Sequence, residues 1–304
     1  MTNKVVIIGS TNVDKILNVD RFVKPGETLH LQNAQKIYCG GKGANQALAT
    51  ARSNAQTTFI SKIGTEGDAD FMLEDFEEAH MNTDYIMTTD TAQTGQAFIT
   101  IDANGQNTIL VYGGANMELN DTDVNKAADA IAEADYIIAQ LEVPVPAIIS
   151  AFKIARENNV TTILNPAPAS ELSKDLLTLT DIIVPNETEA ELLSGIAVTD
   201  RASMHQNAEY FLSLGMKVVI ITLGEQGTYY ATANSAGLIP SFKVKAIDTT
   251  AAGDTFIGAF ASRLNMTDFN IEESITYANK AASLTVQVEG AQKSIPLEQD
   301  VLKA

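Results

Sequence analysis

The sequence predicts an α/β fold in which a mostly parallel sheet lies between two layers of helices, with a small second sheet standing away from it as a lid. Three observations carry that prediction. Short apolar runs alternate with longer segments of helical period, which is how βαβ units read. Several runs are apolar on both alternating faces, as strands covered from two sides must be. Two segments interrupt the rhythm with strand-like pieces and no helix. At 304 residues the chain can bury one large core, and a single unit spanning residues 1–304 is expected.

The parallel strands are expected at residues 5–9 (VVIIG), 57–64 (TTFISKIG), 136–142 (YIIAQLE), 160–166 (VTTILNP), 181–186 (DIIVPN) and 217–224 (KVVIITLG). Helical period is found at 44–52, 121–134, 145–158, 187–193 and 201–214. The first interruption, residues 15–38, is punctuated by Pro25-Gly26. The second is a hairpin, 96–102 and 107–112, whose Asn104-Gly105 suits the positive φ angles of a type I′ turn. Together, segments of roughly 15–40 and 94–116 are expected to form a lid over a ligand cleft, with an outer face suited to a dimer contact.

Composition limits the partners. Hydrophobic residues make up 45% and charged residues 19%, as in a soluble globular chain. A net charge of −18 repels polyanions, which argues against nucleic acid and anionic membrane. Any anionic ligand must be held by a local device. Cys39 is the one cysteine, so no intramolecular disulfide is possible and a reducing cytoplasm is expected. The apolar run at 5–8 is too short for a signal-peptide core or a membrane span.

The stretch DTTAAGDTF, from Asp248 to Phe256, is the strongest motif. It joins an apolar run at 242–247 to a helix whose buried face is marked by Ile257, Phe260 and Leu264. Ala251, Ala252 and Gly253 leave backbone N–H groups uncovered at the positive end of that helix, which suits a phosphate. Asp254 beside them could take a proton from an attacking hydroxyl, or it could simply cap the helix. CGGKGAN, residues 39–45, is not a Walker A loop, because the spacing and the hydroxyl residue after Lys42 are missing. Gly40, Gly41 and Gly43 still permit close backbone approach, with Lys42 and Asn45 as donors; a turn with an exposed lysine reads the same way.

Gly9, Asn12 and Asp14 follow the first strand, where open α/β sheets bind ligands, and Asn12 and Asp14 could bond adjacent hydroxyls of a polyol. Glu142, Asn186 and Glu189 stand at the ends of other strands, suited to a hydroxylated ligand or a hydrated metal ion. Residues 188–191 also fit a helix-capping arrangement. Thr222, Gly224 and Gly227 suit a nucleotide lying on backbone, or a plain turn. His30, His80 and His205 lack metal-ligand spacing, no G-x-S-x-G elbow is present, and no dinucleotide fingerprint follows the first strand.

Through GSTNVD, GGKGANQA, LNPAPA, VPNETEAELL, ITLGEQG, DTTAAGDTF and GAQKSIP, the chain resembles the ribokinase-like, phosphofructokinase B-type carbohydrate kinases over essentially its whole length. GGKGAN and DTTAAGD correspond to the two family signatures, and NPAPA, PNETEAE and GGKGANQA favour the ribose-phosphorylating members over fructokinases and adenosine kinases. The resemblance implies a three-layer ribokinase-like fold and ATP-dependent phosphorylation of D-ribose at its 5-hydroxyl. It implies that Asn12, Asp14, Gly40, Gly41, Lys42, Asn45 and Glu142 hold the sugar, with Asp254 as general base and Ala251, Ala252 and Gly253 as anion hole. Asn186, Thr222, Gly224, Gly227, Gly253 and Asn279 fall on the nucleotide side, and Glu189 organises hydrated magnesium. Some relatives carry His where this chain has Asn279. A monovalent activator such as potassium is implied at Asp248, Thr250, Thr285, Val288, Gly290 and Ser294, several through carbonyls. A homodimer through the lid is also implied.

Overall fold

The computed structural model describes residues 2–31 and 33–304. Its strands are β1 (Lys4–Ile8), β2 (Asn12–Asn18), β3 (Lys36–Gly40), β4 (Gln56–Gly64), β5 (Ile86–Thr89), β6 (Gly95–Ile101), β7 (Asn107–Tyr112), β8 (Tyr136–Ala139), β9 (Thr161–Leu164), β10 (Ile182–Ile183), β11 (Val218–Thr222), β12 (Thr228–Thr232) and β13 (Ala236–Ile239). A large sheet has the order β13-β12-β11-β10-β9-β8-β1-β4-β5. It is parallel from β11 to β5, and β12 and β13 add an antiparallel edge.

β1 shows why the sheet takes helices on both faces. Val5 and Ile7 join Leu48, Phe256, Phe260 and Ile275 in one apolar cluster, while Val6 and Ile8 join Ile148 and Phe152 in another. All four β1 side chains are at most 2% exposed, and burying each contributes about 1.5–3 kcal/mol relative to leaving it in water. The three layers are therefore written in four residues.

The expected strands form, but most are shorter: the run at 136–142 is strand only to Ala139, and the run at 181–186 only over Ile182–Ile183. Beyond those points the chain turns into the loops that carry polar residues. The helical segment at 121–134 is two helices, Asp121–Lys126 and Ala128–Ala132, separated by Ala127. The strands β5, β12 and β13 and the helices Asp70–Glu78 and Ile271–Thr285 were not legible as elements. The apolar run at 242–247 forms no strand, and Phe242, Val244 and Ile247 are exposed. No helix among the described residues is long and apolar enough to cross a membrane.

The second sheet, β3-β2-β6-β7, forms from the two segments set apart in the sequence, but it starts at Asn12 rather than near residue 15. Only Gly9, Ser10 and Thr11 separate it from β1, so the two sheets share one short connection. The β6–β7 turn is not type I′. Of its residues only Gly105 is left-handed (φ 78°); the Asp102 carbonyl accepts the Gly105 N–H, and the Asp102 carboxylate accepts the N–H groups of Asn104 and Gln106. The aspartate side chain thus selects a longer loop than Asn-Gly alone suggests.

Candidate active site

The helix Ala252–Arg263 starts after Ala251, whose backbone is left-handed (φ 61°, ψ 7°) at a cost of about 1 kcal/mol for a residue with a Cβ. Asp254 does not cap this helix: no side-chain cap bond is made there. Its carboxylate is 8% exposed and held from both sides, Oδ2 by Asn45 Nδ2 at 3.0 Å and Oδ1 by Gln46 Nε2 at 2.9 Å. The space beside Gly253 is open, since a Cβ there would meet nothing within 4 Å. The Ala252 N–H differs from the expectation: it closes a turn onto the Thr249 carbonyl at 3.2 Å. Gly253 and Asp254 remain as first-turn amides without an i−4 acceptor, where the helix is most positive.

What brings Asp254 to Asn45 and Gln46 is a crossing of two helices. One turn after Asp254, Gly258 packs so tightly on the helix Lys42–Arg52 that a Cβ there would lie 2.6 Å from the Gln46 carbonyl oxygen and 2.7 Å from the Ala49 Cβ. Residues four apart share a helix face, so this contact sets the spacing at Asp254.

The Lys42–Arg52 helix has no cap from its own sequence. Glu142, three residues past β8, supplies one: its Oε2 accepts the Lys42 N–H at 3.0 Å and the Ser10 hydroxyl, while Ser10 Oγ accepts the Gly43 N–H at 3.3 Å. The glycines ahead of and within this turn are bare for reasons internal to the chain. A Cβ on Gly40 would meet the Asp14 carboxyl at 2.2 Å, one on Gly41 (φ 92°) would meet Asn12 N and Ser10 O at 2.8 Å, and one on Gly43 would strike Gly9 and Ser10 backbone at 2.5 Å. Close approach is real, but the chain itself fills the space a Cβ would take.

Asn12 and Asp14 project from β2, where their register partners are Gly40 and Tyr38. Asn12 Oδ1 accepts from Asn116 Nδ2 at 2.7 Å, and Asn116 Oδ1 accepts the Thr11 N–H at 2.9 Å. Burial, then the nearby charges of Glu142 and Asp254, push the Asp14 carboxyl up to about 7. Lys42 answers this crowding of acids. Asp254 holds its ammonium above the ordinary range against burial, with Glu142 and Glu189 adding to the effect.

Farther along the strand ends, Asn186 and Glu189 form a reciprocal capping box: Asn186 Oδ1 accepts the Glu189 N–H at 2.8 Å, and Glu189 Oε2 accepts the Asn186 N–H at 2.9 Å. Capping thus falls on these two residues and not on 188–191 as a whole. Burial raises the Glu189 carboxyl, opposed by the Asn186 N–H and Lys42. Thr222 sits beside Asn186 through a parallel bridge, and Gly224 (φ 54°) opens onto free space. Gly227 (φ 107°) is needed by packing, since a Cβ would come within 2.1 Å of the Ile239 carbonyl. Asn279 is tied into the fold. Its Oδ1 accepts from Thr228 Oγ1 at 2.7 Å and its Nδ2 donates to the Ile239 and Pro240 carbonyls at 3.3 Å, so its amide ties the Ile271–Thr285 helix to β12 and β13.

Asp248 joins two loops: Oδ1 accepts the Thr250 N–H and hydroxyl at 2.9 and 2.7 Å, and Oδ2 accepts the Gly290 N–H at 2.9 Å. Burial pushes this carboxyl up, but those bonds hold it below the ordinary range. The Thr285 and Ser294 hydroxyls turn inward, to the Ala281 and Ala291 carbonyls, and Val288 is exposed. Val288 can offer a cation only its backbone carbonyl. Among the described residues no group of three or more His, Cys, Asp or Glu side chains is arranged to hold a metal ion.

The sequence reading missed Ser10, Gln46, Asn116, Gln140, Asn165 and Gly258. Gln140 and Asn165 did carry a signal: each is a buried amide directly following an apolar strand, where an unpaired polar group would be costly.

Comparison with known proteins gives a consistent picture. A family model described as pfkB family carbohydrate kinase matches residues 2–298. The chain is 65% identical over 301 residues to the ribokinase of Staphylococcus aureus (strain COL), covering 99% of each. It is 55% identical over 299 residues to a bifunctional ribokinase/ribose-5-phosphate isomerase A of Fructilactobacillus sanfranciscensis, covering 98% of this chain and 55% of that protein. Its fold matches the structure of Arabidopsis thaliana ribokinase complexed with ribose and ATP at a TM-score of 0.91 and 31% identity, covering 100% of this chain and 98% of that one.

Proposed function

The chain belongs to the pfkB family of carbohydrate kinases, and from that premise we propose that it transfers the γ-phosphoryl group of ATP to the 5-hydroxyl of D-ribose, giving D-ribose 5-phosphate and ADP. The observation that carries this reading is Asp254: a buried carboxylate that caps nothing, fixed at both oxygens, at the mouth of a helix whose first turn is open beside Gly253.

In this reading the sugar lies between β2 and the Lys42–Arg52 helix. Asn45 Oδ1, buried and without a partner among the described residues, accepts from one sugar hydroxyl, and Asp14 accepts from another. Asn12, Lys42, Glu142 and the Gly40-Gly41 backbone complete the sugar side. Asp254 removes the proton of the 5-hydroxyl as its oxygen attacks phosphorus. Lys42 and the amides of Gly253 and Asp254 face the charge that builds on the migrating phosphoryl group, which a chain of net charge −18 could not neutralise by its overall field. The nucleotide lies along Asn186, Thr222 and Gly224.

The donor set at Glu189 fits hydrated magnesium, since one oxygen is spent on the capping box and the other can accept from bound water. Magnesium, when bound, offsets phosphate charge. A potassium ion fits the carbonyl-rich loops joined by Asp248. The lid covers the sugar and excludes water, and the exposed row Ile109, Leu110, Val111 and Tyr112 on β7 pairs two copies into a homodimer. The decisive assay is phosphorylation of a sugar panel with MgATP, with and without potassium. ADP formation fastest with D-ribose and stimulated by potassium is expected. Faster turnover of 2-deoxy-D-ribose would replace the substrate, and binding without ADP formation would end the kinase reading.

A further inference from the structure

We infer that Gln46 is a positioning residue for Asp254, oriented by a chain of buried side-chain amides anchored on a backbone carbonyl; the inference rests on Asp254 being the base. The chain begins at Val184, whose carbonyl accepts from Asn165 Nδ2 at 3.0 Å. A backbone carbonyl can only accept, so the Asn165 oxygen must face the other way. There it accepts from Gln46 Nε2 at 3.1 Å. That nitrogen also donates to Asp254 Oδ1 at 2.9 Å, which occupies both of its N–H groups. Gln46 Oε1 then faces Gln140 Nε2 at 2.6 Å. A flipped Gln46 would set its oxygen against two acceptors, Asn165 Oδ1 and the Asp254 carboxylate, with nothing to donate.

A second observation supports the direction of the chain. Gln140 is fully buried, and its Oε1 has no partner among the described residues. It lies against Gly9, 2.1 Å from where a Cβ would stand. Gln140 leaves its own oxygen unsatisfied in order to donate to Gln46. Gln46 is itself 0% exposed and out of reach of any ligand, so its effect on the reaction passes through Asp254. With Gln46 on Oδ1 and Asn45 on Oδ2, the carboxylate cannot rotate, and its free lone pairs keep one direction. The charged groups acting on Asp254 are Lys42, Asp14 and Glu189. None of them is hydrogen-bonded to it among the described residues, so the amides set its geometry and its charged neighbours only its field.

The test measures kcat and KM for D-ribose and MgATP across pH in the full-length chain. Gln46→Met keeps the length and loses the donors; kcat should fall about 10- to 100-fold, with both KM values within about threefold and the acid limb of kcat/KM moved up by about one pH unit. Gln46→Glu places a second acid against Asp254 and should move that limb by about two units. If these variants do not fold, Gln140→Leu, which leaves Asp254 untouched, should still lower kcat and raise the limb by a smaller step. An unmoved acid limb in every folded variant, or a raised KM at unchanged kcat, overturns the inference. Asp254→Asn separates it from its premise: activity retained there overturns the base itself, whereas activity lost there beside wild-type pH profiles in the Gln46 and Gln140 variants overturns only the positioning role.

Discussion

The centre and the lid of this molecule hold their residues by opposite means. At the centre Asn45, Gln46 and Asp254 are 5%, 0% and 8% exposed, yet polar, and hydrogen bonds fix each in one orientation. On the lid, Ile109, Leu110, Val111 and Tyr112 of β7 are 53%, 73%, 57% and 48% exposed, apolar, and strand-paired on one side only, to β6. The difference suits the role proposed for each. A base must keep one geometry, and buried directional bonds give that. The cover and dimer contact proposed for the second sheet would need to accept a partner and move, which a bare edge strand with non-directional apolar contacts allows.

The largest effect that could break this contrast is at the centre. Asp254→Asn should lower kcat by at least ~10²-fold while calorimetric ribose binding stays within a few fold, because the amide retains the shape and loses the base. Near-normal turnover would move the chemistry elsewhere. Next comes the lid. On the proposed β7 pairing, the wild-type chain should sediment as a dimer and Leu110→Asp as a monomer, with the KM for ribose raised about tenfold and kcat changed less, since a charge at the middle of an apolar interface is poorly tolerated. A dimer that survives would place its contact outside β7.

The smallest effect probes the border between the two. Asp14 lies on a lid strand, but its titration is governed by burial and by Glu142 and Asp254 of the centre. Its carboxyl is raised from 3.8 to about 7, so the fold favours the neutral acid. The stability this contributes is present at low pH and is lost as pH rises from about 4 through about 7, where the fold must ionise the group. Asp14→Asn should therefore melt above the wild-type apoprotein by roughly 3–6 °C at pH 8, with the gain closing towards pH 5. A gain that does not depend on pH would mean that the surroundings do not raise the Asp14 carboxyl.

Much of this was legible because it is local. Alternating apolar runs marked β1, β4 and β11, and small residues before Asp254 marked the helix start. Some local signals were outcompeted by neighbours: Asn104-Gly105 suggested a two-residue turn, but the Asp102 carboxylate captured the amides of a longer one. Others acquired a second meaning, because one residue type serves two purposes. Gly40, Gly41 and Gly43 read as room for a ligand, and their bare faces also admit Asp14, Asn12, Ser10 and Gly9. Asn279 read as a nucleotide contact, and its amide is spent on Thr228, Ile239 and Pro240.

By itself the sequence determined the layers, the lid segments, the helix that opens at Gly253 and the acid beside it, because periodicity, turn chemistry and helix starts depend on residues a few positions apart. Only the tertiary structure decided that Gln46 would meet Asp254 across 208 positions, Asn165 across 119 and Gln140 across 94. Those meetings depend on strand order and on how closely Gly258 lets two helices cross. A buried amide's orientation is fixed by whichever donors and acceptors the fold brings to it, and no local pattern contains that information.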